Sequence, residues 1–332
     1  MHATAAHSAT PPTTGSGLFA APTRRHLLGL EGVPRHDILE ILDEAVRYRD
    51  LMRRHQLPTA DLRGVTICNA FFEDSTRTRV SFELAEQGLG AILTSFHAGA
   101  SSVSKGETLL DTLRVIASMR VDVFVVRHAS SGAAAYLAHH LDAAVVNAGD
   151  GRHEHPTQGL LDLMTLRQAW EDRWDDRRIA IVGDIAHSRV ARSAIFGLTT
   201  LGVRVTVAGP ATLMPAEVES LGCEVARTVE DAMRGADAVM TLRIQKERME
   251  AGLLPSLHEY SRVWGITAKR VSLMRPEAVV LHPGPMNRGV EINPDVADGP
   301  RSVIFDQVEN GVAIRCAVLR RCAAPAASGG TR

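Results

Sequence analysis

Short apolar runs of strand length alternate along this chain with longer stretches in which apolar residues return every three or four positions. The runs at 65–71, 121–127 and 144–148, and later at 178–182, 204–208, 238–241 and 279–281, predict strands buried on both faces. Between them, 37–54, 79–90, 107–119, 155–168, 189–201 and 230–234 predict amphipathic helices, and a last such stretch, 303–320, follows the final strand. Alternation of this kind marks parallel sheets, because each parallel crossover needs a connecting helix. The charge-dense segment 170–178 forms the seam between the two series. The expected fold class is therefore α/β, with two doubly wound parallel-sheet domains and the active site in the cleft between them. The expected division is a disordered extension over 1–23, a first domain of 24–156 completed by 302–320, a second domain of 157–301, and a disordered tail over 321–332.

Composition narrows the class of protein without changing this picture. In 332 residues, 45% hydrophobic content supports two full cores and 23% charged is ordinary. A formal net charge of −1 gives no field to attract nucleic acid or an acidic membrane, so neither is an expected partner. No apolar stretch approaches the ~20 residues needed to span a bilayer. Four cysteines, Cys68, Cys223, Cys316 and Cys322, form no C-x-x-C pair, which suits reduced thiols and a cytoplasmic setting. Residues 1–22 are rich in Ala, Thr, Ser, Pro and Gly and lack the charged start and apolar centre of a signal peptide.

The strongest chemical signal is the run Phe72-Glu73-Asp74-Ser75-Thr76-Arg77-Thr78-Arg79-Val80-Ser81-Phe82, where a strand turns straight into a helix. Unpaired backbone N–H groups and the positive end of the helix dipole face outward at such a turn. As an ordinary helix cap, Ser75 or Thr76 alone would suffice, since a cap needs one hydroxyl. Three hydroxyls and two arginines within residues 75–79 exceed that need and favour an oxyanion pocket. Further polar residues stand at other strand ends. Arg127 follows the strand at 121–126, where a solvated arginine is an equal reading. His155 and Gln158 open a helix as a hydrogen-bonding pair suited to a carbonyl and an amide; His153 and His155 find no further ligands to complete a metal site. Residues 99–107 form a Gly/Ser-rich loop with Lys105, and the charged stretch 241–248 reads by itself as a solvated face. Gly183 after its strand lacks the rest of a G-x-G-x-x-G, and there is no P-loop, so no dinucleotide cofactor is expected.

Ser75-Thr76-Arg77-Thr78-Arg79, followed by Ser81-Phe82-Glu83, resembles the carbamoyl-phosphate signature of the transcarbamoylases, the aspartate and ornithine carbamoyltransferases. The resemblance extends over about residues 24–320, through His155-Pro156-Thr157-Gln158, the loop with Ser101 and Lys105, the helix start at Arg189, Arg243-Ile244-Gln245-Lys246-Glu247-Arg248, and His282-Pro283-Gly284-Pro285. It implies carbamoyl-phosphate ligands in Ser75, Thr76, Arg77, Thr78, Ser101, Arg127, His155, Gln158, Gly284 and Pro285. L-aspartate ligands are implied in Lys105, Arg189, Arg243 and Gln245, and catalytic roles in Arg77, Thr78, Lys105, Arg127 and His155. The Ser-Met-Gly and His-Cys-Leu-Pro segments of the ornithine branch are missing. Gly284 stands where some members carry a bulkier residue.

The resemblance thus implies transfer of a carbamoyl group from carbamoyl phosphate to L-aspartate, a step of pyrimidine biosynthesis, with no metal and no organic cofactor. It also implies a homotrimer in which Ser101 and Lys105 reach a neighbouring subunit's site, and leaves a dihydroorotase or a regulatory chain as further partners. The first domain would bind carbamoyl phosphate and the second aspartate. The competing readings are a transcarbamoylase using another amine, and an inactive scaffold of the same fold.

Overall fold

The computed structural model describes residues 26–97, 108–244 and 252–324. The first series runs α1 (Arg35–Arg53), β1 (Thr66–Phe71), α2 (Thr76–Gly88), β2 (Ile92–His97), α3 (Leu109–Ala117), β3 (Val123–His128), α4 (Ala133–His140), β4 (Ala144–Asp150) and α5 (Pro156–Ala169). The second runs β5 (Arg178–Val182), α6 (Arg189–Thr200), β6 (Arg204–Ala208), β7 (Glu224–Val225), α7 (Val229–Met233), β8 (Ala238–Thr241), α8 (Leu257–Trp264), α9 (Ala268–Val271), β9 (Val279–Leu281), α10 (Pro294–Ala297) and α11 (Ile304–Ala323). Two sheets result, in the orders β2-β1-β3-β4 and β7-β6-β5-β8-β9, and every pairing is parallel.

Each sheet reverses its winding direction once. In the first sheet the chain moves outward from β1 to β2 and then returns past it to β3; in the second it leaves β5 for β6 and β7 and returns to β8. Loops leaving the carboxyl ends of the strands at such a reversal diverge to opposite faces and open a crevice. The two crevices of this fold lie beyond β1 and β3, and beyond β5 and β8.

Central strands are apolar on both faces, which is why they were legible as unbroken runs: Ile67, Val123, Val125, Ile179, Ile181 and Met240 are fully buried. The edge strand β2 and helix α4 were not. β2 mixes Thr94 and Ser95 with apolar residues and leaves Ile92 57% exposed. The alanine-rich start of α4 carries no clear apolar stripe. Helix α2 begins at Thr76 rather than at 79, so Arg77 and Thr78 lie in its first turn.

The last helix decides how the halves join. α11 packs against α1, α5 and α2, so the chain's final element returns to the layer over the first sheet. Residues 321–323, expected within a disordered tail, belong instead to α11, which runs to Ala323, and Cys322 is buried in the core shared with α1 and α5. Polar pairs stitch α5 to α11, Asn310 Nδ2 donating to Thr165 Oγ1 (2.9 Å) and Gln168 Nε2 to Asn310 Oδ1 (3.0 Å).

Under α2 lies a buried polar pair with an energetic consequence. Asn69 Nδ2 donates to Glu86 Oε2 (2.9 Å), while Asn69 Oδ1 and Glu86 Oε1 are buried without donors among the described residues. Burial pushes the Glu86 carboxyl up to about 7. A carboxyl raised in the folded state stabilises fully below its ordinary range, and that contribution is lost as pH rises through about 7. Glu86→Gln supplies a permanent donor and removes the penalty. Relative to wild type, its unfolding free energy is expected to gain on the order of 2–3 kcal/mol between about pH 4.5 and about pH 8.5, read from urea midpoints. Parallel curves for the two proteins would refute the account.

Candidate functional site

The two crevices face each other and form one cleft, a cavity of about 310 Å³. From the first sheet come Asp74, Ser75, Thr76, Arg77 and Thr78 after β1, Arg127 on β3, and His155 and Gln158 at the start of α5. From the second come Asp184, His187, Ser188 and Arg189 after β5, Arg243 after β8, and Pro283, Gly284 and Pro285 after β9. The structure thus brings together Ser75, Thr76, Arg77, Thr78, Arg127, His155, Gln158, Arg189, Arg243, Gly284 and Pro285. Ser101, Lys105 and Gln245, expected at the same site, lie outside the described residues.

The turn into α2 is not spent on capping its own helix. Ser75 occupies the N-cap in extended geometry (φ −161°), yet its side chain makes no capping hydrogen bond. Ser188, at the equivalent start of α6, does cap, accepting from Ala191 N (3.1 Å). One cap is structural; the other leaves its hydroxyl and the first-turn N–H groups for the cleft.

Arginines dominate the electrostatics. Arg77, Arg127, Arg189 and Arg243 all line the cleft, two from each sheet. Glu73, at the end of the first crevice, holds the middle pair: it accepts from Arg127 NH2 (2.9 Å) and from Arg189 NH1 and NH2 (3.1 and 2.7 Å). Burial raises the Glu73 carboxyl, but its bonds to Arg189 and Arg127 outweigh burial and keep it below the usual range. Arg127 is pushed down to about 10, by burial first and by Arg189 next. Arg77 has no carboxylate partner among the described residues, and burial, then Arg243, pushes it down. Glu73 offsets the Arg127–Arg189 couple, while Arg77 has no carboxylate of its own among the described residues, an arrangement that favours an anion at that end of the cleft.

Glycines set the approach of these cations. A Cβ on Gly149 (φ +117°) would stand 3.0 Å from Arg189 Nε and 3.1 Å from Arg127 NH1. Gly284 (φ +62°) lies so close to Arg77 NH1 that a Cβ there would overlap it. The loop bearing Gly284 is held by His282, whose Nδ1 accepts from Gly284 N (2.7 Å) and whose Nε2 bonds Glu291 Oε1 (3.1 Å).

His155 is fixed from behind. Its backbone N–H donates to Ser193 Oγ (2.9 Å); Ser193 donates to Glu154 Oε2 (2.7 Å), which also accepts from Leu30 N (2.7 Å). Burial holds the imidazole well below its ordinary range, and Arg127, Arg189 and Arg315 push the same way, so the ring is neutral. Its Nδ1 is buried without a partner among the described residues, where a lone pair costs less than an unpaired N–H, so the proton is assigned to Nε2.

Sequence reading missed several cleft residues. Glu73 was quoted within its motif but given no task. Asp184, whose oxygens accept from His187 N (3.0 Å) and pair with His187 Nδ1 (2.8 Å), carries no sequence-based expectation. Its place directly beyond a central strand end was the available signal.

Two doubly wound sheets sharing a cleft of hydroxyls, helix N-termini and arginines define an anion-binding transferase of the transcarbamoylase class. The chain belongs to the aspartate/ornithine carbamoyltransferase family: the family model described as the carbamoyl-P binding domain matches residues 25–168, and that described as the Asp/Orn binding domain matches 175–322. The aspartate carbamoyltransferase catalytic subunit of Sorangium cellulosum (strain So ce56) is 54% identical over 302 residues, covering 91% of this chain and 94% of its own. Among solved structures, the chain is similar to aspartate transcarbamoylase from Trypanosoma cruzi in complex with N-(phosphonacetyl)-L-aspartic acid (TM-score 0.81, 31% identity, 90% of this chain and 96% of that one). It is also similar to ornithine carbamoyltransferase from Pyrococcus furiosus (TM-score 0.79, 29% identity, 91% and 97% covered). Fold alone does not separate the two amines.

The closeness of Gly284 to Arg77 gives a direct test of the cleft. Gly284→Ala meets the flexible end of an arginine and adds the strain of a side chain at φ +62°, a cost of about 1–2 kcal/mol, so the fold is expected to persist with reduced stability while the guanidinium is displaced. Binding of inorganic phosphate, measured by titration calorimetry, should weaken about tenfold or more, the worth of a charge-assisted hydrogen bond. Unchanged affinity would show that Arg77 does not meet the anion.

Proposed function

We propose that the protein is an aspartate carbamoyltransferase, moving the carbamoyl group of carbamoyl phosphate to the amine of L-aspartate to give N-carbamoyl-L-aspartate and phosphate, in pyrimidine biosynthesis. The observation that carries this reading is the pairing of two anion-binding walls, one on each sheet, across a single cleft. The relatives named above add the aspartate branch. A guanidinium at Arg243 suits a second carboxylate and opposes the ammonium of ornithine.

In this reading Ser75, Thr76, Arg77 and Thr78 take the phosphate, joined by Arg127 and by Ser101 and Lys105. A carbamoyl-phosphate dianion needs several cations: one unit pair at ~4 Å is worth about 4 kcal/mol at an effective dielectric of ~20, before desolvation is subtracted. The carbamoyl oxygen, on which negative charge develops as the amine attacks, is met by Thr78, Arg127 and the Nε2–H of His155. Gln158 and the backbone carbonyls near Gly284 and Pro285 hold the carbamoyl NH2. Arg189, Arg243, Gln245 and Lys105 hold the aspartate carboxylates. Holding two anions that repel in water side by side supplies much of the rate gain. Residues 24–156 with 302–320 form the carbamoyl-phosphate domain and 157–301 the aspartate domain, extended by the helical turn to Ala323.

The function is tested with purified protein, carbamoyl phosphate and each amine in turn. Carbamoyl transfer to L-aspartate is expected, with little or none to L-ornithine. Comparable rates with both amines would remove the argument from Arg243, and activity with neither would leave the inactive scaffold.

We read the working enzyme as a cytoplasmic homotrimer whose sites are shared, with Ser101 and Lys105 serving the neighbouring subunit; a dihydroorotase or regulatory chain is a further partner. Lys105→Ala and Arg243→Ala should each be nearly inactive alone. Trimers reassembled from an equal mixture place both lesions in one site and leave another intact, so activity should return to a modest fraction of wild type. Mixed trimers, verified by mass, that stay inactive would mean that Lys105 acts within its own subunit.

A further inference from the structure

One buried carboxylate close to the cleft has no task in the reading above. Asp162 lies on α5, one turn beyond Gln158, and is 1% exposed. Its Oδ1 accepts two amide donors, Gln158 Nε2 (3.0 Å) and Gln307 Nε2 (2.7 Å). Gln307, in the first turn of α11, in turn accepts the backbone N–H of His282 through its Oε1 (2.9 Å).

This chain of bonds has a direction. A backbone N–H only donates, so His282 fixes which end of the Gln307 amide is the oxygen. The Gln307 nitrogen must then face Asp162, whose oxygen is left to accept from Gln158 as well. An amide that gives its nitrogen to one neighbour turns its oxygen the opposite way. Gln158 lines the cleft, and its Oε1 has no partner among the described residues. Reversed, that oxygen would meet the Asp162 oxygen, acceptor against acceptor. Burial pushes the Asp162 carboxyl up to about 7. Either protonation state keeps Oδ1 an acceptor, because a proton is carried by Oδ2, which has no partner among the described residues.

We infer that Asp162 is a positioning residue that turns the Gln158 carbonyl toward the cleft, so that the site selects an acyl phosphate bearing NH2 over one bearing a methyl group of similar size. The inference rests on the function proposed above. An acceptor oxygen pairs with the carbamoyl NH2 and has nothing to bind in acetyl phosphate, where CH3 replaces NH2. Sites built to hydrogen-bond a substrate N–H discriminate strongly against analogues that lack it.

The experiment compares kcat/KM for carbamoyl phosphate with kcat/KM for acetyl phosphate, L-aspartate being the acceptor in both, in the full-length protein. Asp162→Ala should lower the carbamoyl-to-acetyl ratio about tenfold or more, the loss of one oriented hydrogen bond. Gln158→Ala should lower it by as much, and the double variant no further. Asp162→Asn keeps an oxygen between the two glutamine donors and should hold the ratio within about threefold of wild type. A merely structural role would depress both substrates alike and leave the ratio unchanged, which overturns the inference. Because Asp162 is buried, Asp162→Leu repeats the test with the volume kept. An unchanged ratio in Gln158→Ala overturns the inference whatever the Asp162 variants do. A wild-type protein that makes no carbamoyl-aspartate overturns the functional reading and this inference together, whereas an active wild type with an insensitive ratio overturns this inference alone.

Discussion

The close approach of like-charged arginines from two separate sheets is the constraint around which this molecule is arranged. Burial first and Arg189 next depress the titration of Arg127, and burial followed by Arg243 does the same to Arg77. Left alone, such couples would force the sheets apart. Glu73 offsets one of them by bonding both members at once. In the other couple Arg77 has no carboxylate among the described residues, so an anion entering there adds an attraction where Arg77 otherwise meets only burial and the charge of Arg243.

Around these cations the fold spends its buried polar groups on orientation. Glu154 and Ser193 fix the backbone of His155, while Glu291 and His282 fix the loop that Arg77 touches. Asp162 and Gln307 tie α5 to α11 and to that same loop. Each is a group whose desolvation costs stability, and each stands directly behind a residue that faces the cleft. Precision at the cleft is thus supplied from the layer beneath it.

Much of this was legible in the chain itself. Central strands announced themselves because parallel strands buried on both faces must be unbroken apolar runs. Ser75-Thr76-Arg77-Thr78 announced itself because hydroxyls and cations crowd one strand end beyond what a cap needs, whereas Arg127, Arg189 and Arg243 look like solvated charges by themselves and were placed only by the family resemblance. What escaped notice depends on the third dimension. β2 is an edge strand with a half-polar face, and α4 is rich in alanine. Glu73 looks like any acid near a helix start until Arg127 and Arg189 are seen to converge on it. Asp162 sits inside an apolar helix pattern, and nothing in its neighbours along the chain shows that Gln307, 145 positions later, will share its oxygen.

The return of α11 bears on how the protein is made. The helix that seals α1 and α5 is the last element of the chain, yet the sheet beneath them is among the first. Until residues 304–323 have been synthesised, the face of α1 that packs against α11 lacks the partner that covers it in the folded protein. The first series therefore cannot complete its core before the second series has been made, because the helix that closes the first follows the second along the chain.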